Sequence, residues 1–119
     1  MRTLHAHGAW VAVVTTGAAG LWGLTLAVLG RQPDRAFRIG VGVAVTAMLV
    51  QVGLGFLVYG QGLRPGSEFH LFYGFLVLFT LAFAYILRAK IGSRAALVWG
   101  LVLLFTMGLG LRAWAVVAG

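Results

Sequence analysis

The sequence predicts an all-α integral membrane protein: an up-down-up-down four-helix bundle forming one transmembrane domain over residues 1–119. Three observations predict it. The chain is 61% hydrophobic and only 9% charged. Its apolar runs are about twenty residues long, the length a helix needs to cross a hydrocarbon core of about 30 Å. Short basic patches and turn residues separate those runs, and a chain of 119 residues this apolar would leave much of its surface wet if it folded in water.

The first span is expected over residues 8–29, ending at the turn signals Gly30, Pro33 and Asp34 in "GRQPDRAFR". It follows a positive start, as a signal peptide would, but its apolar stretch runs on to Leu29, which reads as a retained helix. The second span is expected over 39–59 and stops at Gly60, Gly62 and Pro65. The third covers 69–87, with Ser67 and Glu68 at its beginning, where free backbone N–H groups favour an acceptor. The fourth covers 95–117, after "RAKIGSR". Short connections make sequential helices neighbours. Most of the eighteen glycines fall within the spans and would let backbones approach closely, although no G-x-x-x-G pair occurs there.

Six of the nine basic residues, Arg31, Arg35, Arg38, Arg88, Lys90 and Arg94, lie on the side of the first and third connections. The other three are Arg2, Arg64 and Arg112. The positive-inside tendency therefore puts both termini and the 60–68 loop outside the cytoplasm. A net charge of +7 carried at helix ends suits anionic lipid and provides no nucleic-acid-binding face. Without cysteine, thiolate metal sites, disulfides and thiol nucleophiles are excluded. No nucleophile–base pair, phosphate loop or metal-hydrolase spacing is present, so an enzyme acting by itself is not expected. Nor does an ionisable residue occupy the centre of a span, as a conduction path would require.

The outer face collects His5, His7, Arg64, Glu68, His70 and Arg112. His7 and His70 begin odd-numbered helices and should lie at similar depth on diagonal helices, roughly 11 to 14 Å apart if neighbouring axes are about 8 to 10 Å apart. That gap suits a haem b held by one imidazole from each side, with Arg64 and Arg112 pairing with its propionates. His5, two residues away on another side of the helix, is a substitute for His7. A solvated or hydrogen-bonded structural cluster and a zinc site using His5, His7, His70 and Glu68 stay open beside it. Gln51, near the middle of the second span, must face the bundle or a protein neighbour, because an unpartnered amide in lipid is costly. Interhelical adhesion and contact with a cofactor, quinone or lipid are its candidate roles. Thr15, Thr16, Thr46, Thr80 and Thr106 are available for interhelical bonds. Tyr73 is a bonding partner for a ligand near His70, or an anchor in the outer aromatic belt with Trp10, Tyr59, Phe69 and Trp114. Tyr85 and Trp99 would form the inner belt.

The runs "QVGLGFLVYG" (51–60), "RPGSEFHLFYG" (64–74) and "GLGLRAW" (108–114) resemble small four-span membrane proteins of bacteria. They are also loosely similar to one four-helix half of a haem A synthase, whose halves hold haem between histidines of even-numbered helices. Here the histidines begin the first and third helices instead. A second likeness is to cytochrome b type membrane anchors and accessory subunits of electron-transfer complexes. It implies a ligand role for His70, and less directly for His7. The expected function is that of a small integral subunit packing against larger partners in a respiratory or photosynthetic electron-transfer complex. The alternative is a haem b-binding electron-transfer or haem-processing protein.

Overall fold

The computed structural model describes the backbone of residues 2–60, 62 and 68–118, and the side chains of 5–60, 62, 70–90, 92 and 94–115. These residues form helices α1 (Arg2–Val28), α2 (Arg35–Gly60), α3 (Glu68–Ile86), α4 (Arg88–Ile91) and α5 (Ala95–Ala118), with a 3₁₀ turn at Gly92–Arg94 between the last two. Among the described residues, three stretches are long and apolar enough to cross a membrane: His5–Val28, Arg35–Gly60 and Ala95–Ala115. The chain is a multi-pass membrane protein. The apolar part of α3, His70–Ile86, is shorter.

Local chemistry sets the helix ends. Gly30 adopts φ +67°, and the Arg31 N–H reaches back to the Leu26 carbonyl at 2.9 Å, a left-handed C-terminal cap that needs a residue without a Cβ. Asp34 then caps α2: its Oδ1 accepts from the Phe37 N–H at 2.8 Å. With that cap in place α2 starts at Arg35 rather than at 39, since nothing stops a helix from continuing into the headgroup zone. α1 likewise starts upstream of the expected span, at Arg2. The third and fourth expected spans match α3 and α5 closely. The side chain of Glu68 and the whole of Ser67 lie outside the described residues, as does Arg64.

α1 packs most extensively against α5 and α2, and α3 against α5, whereas α2 and α3 touch only sparsely. Glycine makes the α1–α5 contact possible. A Cβ on Gly100 would lie 2.9 Å from the Leu24 nitrogen and 3.0 Å from the Gly20 carbonyl oxygen, and one on Gly23 would lie 2.7 Å from the Ala96 carbonyl oxygen. Dispersion and close backbone approach replace the hydrophobic drive that lipid removes. The core is built accordingly from small and medium side chains: Ala12, Met48, Val77, Leu81 and Leu109 at one level, and Ala19, Ala44 and Leu103 at the next. Leu26, Phe37 and Ala96 form the third level. Phe37 is the one phenylalanine in these levels; many other large apolar residues point outward, Phe79 and Phe83 being 60% and 61% exposed, as lipid-facing positions should be.

Four of the threonines available for interhelical bonds are bonded within their own helices. Thr15, Thr16, Thr80 and Thr106 each donate to the carbonyl four residues back in their own helix. The hydroxyl finds an acceptor one turn away and needs no neighbour.

Candidate functional site

At the end of the molecule where α1 and α3 begin and α2 and α5 finish, a cavity of about 740 Å³ opens among the four long helices. That volume lies within the range of small-molecule and cofactor sites. Its polar lining is His5, His7, Gln51, Tyr59, His70 and Tyr73; its apolar lining includes Trp10, Met48, Phe56, Val77 and Trp114.

The side chain that pairs with His70 is His5, not the expected His7. The two rings lie edge to face, with centroids 5.8 Å apart and planes at 89°. His7 is two residues on, about 200° around the helix, and is exposed. It reaches the cavity lining without this contact. A reciprocal fit between α1 and α2 seats His5. The Gln51 amide nitrogen lies 2.7 Å from the His5 carbonyl oxygen and 2.9 Å from His5 Nδ1. Gly55, one turn beyond Gln51, leaves room for the imidazole, since a Cβ there would be 3.0 Å from His5 Cε1. Gly8, nearly one turn beyond His5, leaves room for the amide, since a Cβ there would be 2.5 Å from Gln51 Oε1. Each polar side chain thus sits over a glycine of the other helix. Gln51 faces the bundle and joins two helices, as its depth in the span requires. Its Oε1 is buried and has no hydrogen-bond partner among the described residues.

His70 is fixed from α5: its Nδ1 lies 2.8 Å from the Ala113 carbonyl oxygen, an acceptor, so Nδ1 bears the proton and donates it. That leaves Nε2 as the nitrogen for a ligand. Tyr73, one turn further along α3, accepts a 3.3 Å hydrogen bond from Arg112 Nε, tying α3 to α5 a second time. Arg112 is exposed. The indoles of Trp10 and Trp114 pair between α1 and α5, with centroids 5.3 Å apart. Phe56 of α2 and Phe75 of α3 meet at 5.6 Å across the sparsely packed seam.

Of the residues singled out in the sequence, His5, His7, Trp10, Gln51, Tyr59, His70, Tyr73 and Trp114 line the cavity, and Arg112 is tied to it through Tyr73. Among the described residues no three histidine, aspartate, glutamate or cysteine side chains converge as a metal site would require. The contributions of Gly8 and Gly55 were missed. Their signal was present: a glycine three residues after His5 and another four after Gln51, each on the face that bears the polar group. Comparison with protein-family models, curated proteins and solved structures returned no match.

Proposed function

We propose that this chain is a small subunit crossing a bacterial cytoplasmic membrane four times, which carries an apolar cofactor in the outer half of the bilayer for a larger electron-transfer assembly. The observation that supports this reading is the 740 Å³ cavity with His5, Gln51 and His70 at its polar end. The cavity opens through the sparse α2–α3 side, which gives an apolar molecule a way in, and imidazoles held from behind are suited to present one nitrogen to a ligand. The fourth crossing rests on α3, whose apolar stretch His70–Ile86, 17 residues, rises about 26 Å, most of the hydrocarbon thickness. Both termini lie outside the cytoplasm, because six of nine basic residues flank the opposite end. Large outward-facing residues on every long helix suit lipid and partner helices alike.

Haem b held by His70 is one form of this reading.

The test is purification from native membranes in mild detergent, followed by absorption spectroscopy and organic extraction. Expected is close to one haem or other non-phospholipid cofactor per chain, reduced in His70→Ala, together with larger membrane subunits. Protein that is colourless, free of cofactor and alone would contradict the reading.

A further inference from the structure

His5 and His70 are held in opposite tautomers. An amide nitrogen has two hydrogens and no available lone pair, so both contacts from Gln51 Nε2, 2.7 Å to the His5 carbonyl oxygen and 2.9 Å to His5 Nδ1, are donations. His5 Nδ1 is therefore an acceptor, and the single proton of its neutral ring is on Nε2. Turning the amide round would set two oxygens 2.7 Å apart, so the assignment is fixed by the contacts. A neutral His70 is the reverse: Nδ1–H donates to Ala113, and the lone pair is on Nε2. Two neighbouring rings thus line one cavity, with a donor at one Nε2 and an acceptor at the other.

This pairing selects among ligands. An imidazole with a protonated Nε2 does not bind iron through that atom, and moving the proton to Nδ1 would cost Gln51 its donation there. A phosphate headgroup calls for several cationic donors, whereas the cavity's inner polar end is His5, Gln51 and His70. A flat ring bearing hydroxyl or carbonyl oxygens matches both nitrogens at once. Aromatic walls from Trp10, Phe56 and Trp114 suit such a ring, and the sparse α2–α3 seam gives an apolar tail a way out to lipid.

We propose that the cavity binds a tailed quinone and its quinol, with His70 Nε2 accepting from a quinol hydroxyl and His5 Nε2–H donating to a quinone carbonyl. The proposal rests on the reading that this cavity holds a cofactor, and it names the chemical class.

The test uses the full chain in quinone-free nanodiscs with Trp22 and Trp99, at the far end, replaced by phenylalanine. Trp10 and Trp114 then report on the cavity. Decylubiquinol, kept reduced under anaerobic conditions, and decylubiquinone are titrated separately. Expected is saturable quenching by both at one per chain. His70→Leu should weaken the quinol roughly tenfold more than the quinone, and His5→Leu should do the opposite. A merely structural role would weaken both forms equally, and that result overturns the proposal, as does the absence of saturable quenching before either histidine is changed. Should native protein instead contain one haem per chain, lost in His70→Leu, the cofactor-carrying reading stands and the quinone assignment falls. If only phospholipid is recovered, both fall.

Discussion

Residue by residue, the α1–α2 contact reduces to two polar groups and two glycines. Gln51 donates twice to His5, and Gly8 and Gly55 supply the space. Replacing Gly8 with valine drives a branched side chain into the Gln51 amide, and the expected loss is about 1 to 3 kcal/mol, the range for overpacking a tight contact. Gln51→Leu removes both donations without adding bulk, so a smaller loss is expected, about 0.6 to 2 kcal/mol. Unfolding in mixed micelles measures both. A Gly8→Val variant as stable as the parent would contradict the fit, since the 2.5 Å approach leaves the amide nowhere to remain. Gln51 was legible in the sequence because an amide at mid-span has to find a partner. Its partner was not, because His5 and His7 lie on opposite sides of one helix and nothing in their own chemistry says which turns inward. The glycines decide it, and only once the two helices are aligned. The pairing of His70 with a backbone carbonyl was beyond reach for a different reason: Ala113 offers no side-chain signal.

At the level of the helices, glycines that look alike in sequence divide into those at crossings and those facing open space. Gly100 meets backbone atoms of α1 on two sides, and backbone cannot rotate away, so Gly100→Val should force α1 and α5 apart at a cost of at least about 1 to 3 kcal/mol. Nothing lies within 4 Å of a Cβ on Gly53, and Gly53→Ala should be neutral or stabilise by up to about 1 kcal/mol through helix propensity. The pair of variants, compared by thermal denaturation in one detergent, separates packing from propensity; equal effects would contradict the assigned α1–α5 crossing. Apolar runs, basic patches and the turn residues Gly30 and Asp34 made the four long helices readable, with ends differing by a few residues. The unequal packing around the bundle was not readable, because α2 and α3 carry the same kinds of residue as α1 and α5. What differs is the register in which small residues meet.

For the whole molecule, the division of charge fixes the expected orientation. The described end formed by Arg31, Arg35, Arg38, Arg88, Lys90 and Arg94 should face the cytoplasm, and the cavity the opposite compartment. The chain contains no cysteine, so single cysteines added before Met1, after Gly119 and in place of Ser93 report position directly. Impermeant maleimide applied to intact spheroplasts should label the two terminal sites and spare the third. Labelling of position 93 alone would invert the arrangement.

What fills the space beside His70 decides the role of the cavity. A density map of the protein in nanodiscs formed from its own membranes tests this most directly. Expected is planar density within the cavity, in hydrogen-bonding or coordinating range of His70 Nε2, with His5 still held by Gln51. A cavity occupied only by acyl chains, or closed with His5 bonded to His70, would contradict it.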